Sequence, residues 1–139
     1  MKTFSVTDVG QRRIINQDYV FASELPVGNL PNLFIVADGM GGHNAGDFAS
    51  RYVVNTVKDL IRNSAEADVA QLLRSAIHRA NVLLREEAAQ NNELWGMGTT
   101  IVAATIISGV AYIANVGDSR LYVFGEKDIQ QITQDHSLV

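Results

Sequence analysis

The stretch from Leu33 to Arg62 limits the architecture more than any other part of this 139-residue sequence. Leu33 to Ala37 is a short, continuous apolar run, which reads as a buried strand. It stops at Asp38-Gly39 and enters a glycine-rich loop, Gly39-Met40-Gly41-Gly42-His43-Asn44-Ala45-Gly46. From about Asn44 to Arg62 the apolar positions Ala45, Ala49, Tyr52, Val53, Val57, Leu60 and Ile61 recur at helical spacing. A buried strand, an acid, a tight connection and an amphipathic helix together call for a sheet with a helix packed on it.

The flanking sequence adds further elements of both kinds. Residues 2–9 alternate loosely and end at Asp8-Val9-Gly10, which predicts a strand running into a turn. Residues 18–24 predict a second strand, and the Pro-, Gly- and Asn-rich residues 25–32 predict a loop. A second helix starts after Asp68, a capping residue with Gln71 as its reciprocal partner three positions on. Its apolar stripe is Val69, Leu72, Leu73, Ala76, Ile77, Ala80, Leu83 and Leu84. Polar residues at 90–93 end it. Thr99 to Ile107, Val110 to Val116 and Arg120 to Phe124 are rich in β-branched residues and predict strands. Ser108-Gly109 fits a hairpin turn, and Asp128 to Thr133 a short last strand. Strands, then a helix pair, then strands indicate an α+β fold rather than regular βαβ alternation.

Composition narrows the functional classes. The net charge is −4, from 11 basic and 15 acidic residues, and the nearest approach to a basic cluster is Arg12-Arg13. Nucleic-acid binding needs clustered Lys and Arg, so it is not expected. With no cysteine, disulfides and thiolate metal sites are excluded. The longest apolar stretch, Ile101 to Ile107, is far short of a membrane span. Met1 to Ser5 contains no apolar signal-type core. The expectation is a soluble cytoplasmic protein.

Three acids stand against strongly apolar sequence. Asp18 opens a predicted strand, Asp38 ends another, and Asp118 lies between two more in Asn115-Val116-Gly117-Asp118-Ser119-Arg120. An unpaired carboxylate in such surroundings is costly. A hard divalent cation with oxygen ligands would supply the counter-charge. An Asp before Gly at a strand end is usually just a turn residue, so spacing alone does not establish the metal reading. The glycine loop lacks the Gly-Lys-Ser/Thr ending of a P-loop, and Asn44 stands where G-x-G-x-x-G requires its last glycine. It is either a tight strand-to-helix connection or a place of close backbone approach to an ion.

Five segments, taken in order, resemble the successive motifs of bacterial PP2C (PPM) metal-dependent serine/threonine phosphatases. They are Asp8-x-Gly10-x-x-Arg13-x-x-Asn16-Gln17-Asp18, Val36 to His43, Gly98-Thr99-Thr100, Asn115 to Arg120, and Asp135-His136-Ser137. Each alone is weak; the ordered series covers nearly the whole chain. The resemblance implies a β-sandwich of antiparallel sheets flanked by helix pairs. It also implies hydrolysis of phosphoserine and phosphothreonine in proteins, such as the substrates of a eukaryotic-like Ser/Thr kinase.

It further assigns roles residue by residue. Asp38 would bridge two Mn²⁺ or Mg²⁺ ions, the Gly39 carbonyl would be a further ligand, and Asp18 would hold one ion largely through water. Asp118 would help bind a third, weaker ion. Arg13 would clamp the substrate phosphate with its planar, two-pronged donors. A water between two cations becomes a usable hydroxide near neutral pH and would attack phosphorus without a phospho-enzyme. His43 is the candidate general acid, because Met40 holds the place where some relatives have His. Gln17 stands where many relatives have Glu. His78 reads as a helix surface or packing residue, and His136 has no assigned role.

The family domain extends past a segment like Gln134 to Ser137 and adds two more acidic motifs that this sequence does not contain. Residues 1–139 are therefore expected to form the N-terminal portion of one phosphatase domain, incomplete at its C-terminus. Open sheet edges in such a portion favour self-association. Two rival readings follow: a non-catalytic, phosphatase-like binding module, and an unrelated small metal-binding regulatory domain.

Overall fold

The computed structural model describes residues 1–42 and 44–137. Two strands, β1 (Asp18–Ser23) and β2 (Leu33–Met40), precede two helices, α1 (Ala45–Arg62) and α2 (Val69–Gln90). A single 3₁₀ turn at Asn92–Leu94 leads to β3 (Gly98–Thr99), β4 (Ile101–Ile107) and β5 (Val110–Val116). A small hairpin, β6 (Tyr122–Phe124) and β7 (Ile129–Gln131), follows. The main sheet is antiparallel in the order β1-β2-β4-β5, with β3 also paired to β2.

The core lies between this sheet and the helix pair. Leu33, Ile35 and Ala37 of β2 and Ile101 and Ala103 of β4 meet Ala49, Val53, Val57 and Ile61 of α1. Leu72, Leu73, Ala76, Ala80 and Leu84 of α2 join the same cluster on the helix side. These are the periodic positions legible in the sequence, and their period is what allows one face of each element to be buried.

Local chemistry sets several boundaries. Asp68 caps α2 by accepting from the Gln71 N–H at 3.1 Å. The reciprocal half of the expected capping box is not made: the Asp68 N–H donates instead to Glu66 Oε1 at 3.0 Å. Ser108 and Gly109 both adopt positive φ, 51° and 80°, the two-residue turn that suits the twist of a hairpin. The expected strand from Thr99 to Ile107 is divided at Thr100, whose backbone N–H turns to the Asp38 carbonyl at 2.9 Å.

Residues 2–9 do not form the expected strand. An extended segment becomes a strand only with a partner, and none is alongside among the described residues. The segment lies over the helix-free side of β1 and β2, with Phe4 88 % exposed. It is tethered by Thr3 Oγ1 donating to Glu24 at 2.6 Å and by Asn16 donating to Thr7 at 2.8 Å. The loop at 25–32 is more deeply buried than its composition implies. Val27 and Leu30 pair with each other and are buried. Buried Asn32 both donates to and accepts from the Ile106 backbone at 2.8 Å, imitating a strand residue.

Candidate active site

Antiparallel register decides which acids meet. Pairing of β1 with β2 places Asp18 directly across from Asp38, on the face of the sheet away from the helices. Like charges directly opposite on a sheet repel. The Asp38 carboxyl is accordingly pushed above its ordinary value. Burial is the main cause, followed by the charge of Asp18, a side-chain hydrogen bond with Asp18 and the charge of Asp118. The positive charge of Arg13 pulls the other way. Two aspartates separated by twenty positions in sequence thus act as one electrostatic unit.

The loop before β1 is folded by its own short side chains. Asp8 accepts from the Gly10 N–H at 2.7 Å and Asn16 accepts from the Asp18 N–H at 3.0 Å, two turns of the type Asp and Asn favour. The result is a polar cavity of about 210 Å³ whose lining includes Asp8, Arg13, Asn16, Asp18 and Asp38. Arg13 and the acid pair therefore share one concavity.

Gly39 is buried beside it. A Cβ at this position would run into the backbone carbonyl of Gly46 in the first turn of α1 and the carbonyl of Gln17. That carbonyl of Gln17 accepts from the Gly39 N–H at 2.9 Å. Glycine is needed because the strand end and the helix start touch. The Gln17 side chain lies against Gly46 and donates to the Gly41 carbonyl at 3.4 Å.

Thr100 joins the third acid to the pair. It is buried, and its hydroxyl accepts from the Asp38 N–H at 3.0 Å while sharing a 2.5 Å hydrogen bond with Ser119. Gly117, with φ +104°, presses its backbone on the Thr100 side chain, where a Cβ would come within 2.7 Å. Asp118 sits between Gly117 and Ser119, so the same contacts fix where its charge lies. The motif Gly98-Thr99-Thr100 marked this position in the sequence, but it assigned Thr100 no structural role.

Asp135-His136 anchors this corner. Asp135 accepts from Arg120 through both oxygens, at 3.0 Å and 3.2 Å from Nε and 2.6 Å from Nη2. The pair holds the Asp135 carboxyl below its ordinary range. The His136 backbone N–H donates to the Gly117 carbonyl at 2.8 Å. Its position in the motif is thus occupied by a main-chain contact. His43, the expected general acid, lies outside the described residues.

Among the described residues, no three His, Asp or Glu side chains are gathered closely enough to hold an ion by themselves. The donor set does fit a hard divalent cation that keeps several waters. Burial first, and then the opposed Asp18 carboxylate, push the Asp38 carboxyl toward its protonated form, and a bound cation would offset both.

Known proteins place the chain. A sequence profile described as protein phosphatase 2C matches residues 10–138. The serine/threonine phosphatase stp of Listeria welshimeri is 40 % identical over 139 aligned residues, which cover 96 % of this chain and 54 % of that protein. The crystal structure of the serine/threonine phosphatase Stp1 from Staphylococcus aureus superimposes with a TM-score of 0.84 at 39 % identity, covering 95 % of this chain and 52 % of that one. The catalytic domain of the serine/threonine protein phosphatase PstP, in complex with two manganese ions, matches with a TM-score of 0.78 at 33 % identity, covering 92 % and 53 %. The chain spans about half the length of the relatives it matches. With its ordered motifs, its opposed aspartates and this match across residues 10–138, the chain belongs to the protein phosphatase 2C family.

Proposed function

We propose that the protein carrying this chain hydrolyses phosphoserine and phosphothreonine in proteins by a metal-dependent route. The observation that carries the reading is the Asp18–Asp38 cross-strand pair with Arg13 in the same cavity. Asp38 and Asp18 would hold Mn²⁺ or Mg²⁺ with the help of the Gly39 carbonyl, and Asp118 would contribute to a third ion. When bound, such ions supply Lewis acidity and an acidified water. Arg13 grips the phosphoryl oxygens through paired, charge-assisted hydrogen bonds and offsets the charge that develops on them. Asn16 and Thr100 keep the two carboxylates in register, through the Asp18 and Asp38 amides. His43 as proton donor to the leaving oxygen rests on the resemblance alone. Phosphoproteins made by a eukaryotic-like Ser/Thr kinase are the substrates we favour. Residues 1–139 are taken as part of one phosphatase domain that works in the cytoplasm. No helix among the described residues is long and apolar enough to cross a membrane.

The test is Mn²⁺-dependent hydrolysis of p-nitrophenyl phosphate and of a phosphothreonine peptide, with Asp38→Ala as control. Metal-dependent turnover that vanishes in the variant supports the proposal. Turnover that survives chelation or Asp38→Ala overturns the metal reading. A second reading draws on the absence of a three-carboxylate group among the described residues. It is a phosphatase-like module that binds a phosphopeptide without turnover. Phosphopeptide binding undiminished by Asp38→Ala, with no hydrolysis, would select it.

A further inference from the structure

The pairings of Gly39 with Thr99 and of Val36 with Val102 keep one register, which sets Thr100 across from Asp38. A hydrogen-bonded pair in an antiparallel ladder exchanges two main-chain bonds. Here only one of the two is made: the Thr100 N–H donates to the Asp38 carbonyl at 2.9 Å. The Asp38 N–H donates instead to the Thr100 hydroxyl, at 3.0 Å. The Thr100 carbonyl has left the ladder and accepts from Thr99 Oγ1 at 2.8 Å. The Asp38 amide is therefore held by a rotatable side chain, where a fixed carbonyl would ordinarily hold it.

That side chain is set by the turn that carries Asp118. Thr100 is 3 % exposed, and both branches at its Cβ are engaged. The hydroxyl shares a hydrogen bond with Ser119, in which either oxygen can be the donor. The methyl lies so close to the Gly117 backbone that a Cβ added to Gly117 would come within 2.7 Å of it. A β-branched side chain held at both branches keeps a single χ1. A shift of residues 117–119 thus carries the Thr100 oxygen with it and takes the acceptor from the Asp38 amide. Every atom of this link belongs to a described residue.

We propose that Thr100 and Ser119 are positioning residues that couple the Asp118 turn to Asp38, so that a divalent cation held at one of these aspartates favours binding at the other. The inference rests on the metal-dependent reading above. Neither hydroxyl touches an ion or the phosphate. Their part is to keep the Asp38 main chain, and with it the carboxyl that lines the cavity, in one place before an ion arrives. A coupling of this kind is reciprocal between the two positions. Asp118 also acts on Asp38 by its charge. That action crosses space and does not need the hydroxyls, which gives the experiment its control.

The variants are made in the protein that carries this chain, and folding is checked by circular-dichroism melts. With chelator present, Thr100→Val and Ser119→Ala should each move the Asp38 amide resonance and quicken its hydrogen exchange about three- to tenfold, the effect of one lost hydrogen bond. Ser119 makes no hydrogen bond to Asp38, so a merely structural role for it would leave that amide unmoved. Thr100→Ser keeps the oxygen and should hold the Asp38 amide near its original rate. Mn²⁺ affinity, followed by electron paramagnetic resonance, should fall about three- to tenfold in Ser119→Ala. It should fall no further when Ser119→Ala is added to Thr100→Val. Asp118→Asn should weaken Mn²⁺ binding less in the Thr100→Val background than in the original protein, the remainder being the action of charge through space. An unmoved Asp38 amide in Ser119→Ala, or additive losses in the double variant, overturns the proposal and leaves the metal reading standing if Asp38→Ala still removes Mn²⁺ binding. Mn²⁺ binding that survives Asp38→Ala overturns the metal reading and this inference with it. Should Thr100→Val not fold, Ser119→Ala and Thr100→Ser decide by the same amide and affinity measurements.

Discussion

On the helix side of β2, Leu33, Ile35 and Ala37 have no exposed surface; on the other side of the same strand, Val36 is 47 % exposed and Asp38 faces the cavity. β4 shows the contrast only in part, with Ile101 and Ala103 buried on the helix side and Ile106 42 % exposed on the open side, where Val102 is nonetheless buried. Both sides are largely apolar in sequence. The helix side is packed by α1 and α2, whereas among the described residues only 2–9 and the segment around Gln134 cross the open side. One side therefore holds the fold together. The other is free to carry charge that would be intolerable in the core. This division lets the acid pair be electrostatically strained without unfolding the sheet beneath it.

Paired truncations measure the contrast most strongly. Ile35→Ala should cost about 2–5 kcal/mol in urea unfolding, the usual price of a large buried deletion. Its neighbour Val36→Ala should cost less than about 1 kcal/mol, as expected for a half-exposed site. Equal costs would mean that the open side is covered in solution. Gly39→Ala comes next. Its Cβ meets main chain of α1, which cannot swing aside, so a loss of about 3 kcal/mol is expected by the same measurement. A stability loss near zero would mean that β2 and α1 are not in contact there. Thr100→Val removes a buried hydroxyl that serves both Asp38 and Ser119, and should cost about 1–2 kcal/mol.

The open side has a predicted pH signature. The Asp38 carboxyl is raised in the folded chain, so the folded state binds protons more tightly than the unfolded one there. In the presence of chelator, its contribution is fully present below the ordinary value of 3.8 and is lost as pH rises through the raised pKa. Asp38→Asn should flatten that part of the stability-pH curve. An unchanged slope would separate Asp38 from Asp18 in solution. Added Mn²⁺ should oppose the fall. The smallest effect is expected from Arg120→Ala. Its pair with Asp135 is solvent-exposed, so hydrogen exchange should quicken locally in residues 121–133 while the global melting temperature stays put.

Much of this arrangement is legible in the residues. The periods of α1 and α2, the Ser108-Gly109 turn and β5 follow from local rules acting over a few residues. The five motifs named the family, and they marked Asp18, Asp38, Asp118 and Arg13 as candidates. Residues 2–9 show where local rules end. Their alternation is compatible with a strand, but strand formation is a pairing event, and pairing depends on chain remote in sequence. Asn32 and Thr100 show the same limit from the opposite direction. Asn32 looks like an ordinary loop residue and Thr100 is marked only as part of a motif, and each becomes important through partners more than sixty positions away.

The sequence by itself determined the element types, the layer that α1 and α2 must bury, and the membership in the protein phosphatase 2C family. These depend on patterns and motifs carried by short stretches of chain. Only the tertiary structure decided that Asp18 faces Asp38 and that Thr100 ties Asp38 to the Ser119 turn. Register, edge and burial arise when distant segments are brought together, and the energy of a carboxylate or a backbone amide depends on what then lies within a few ångströms of it.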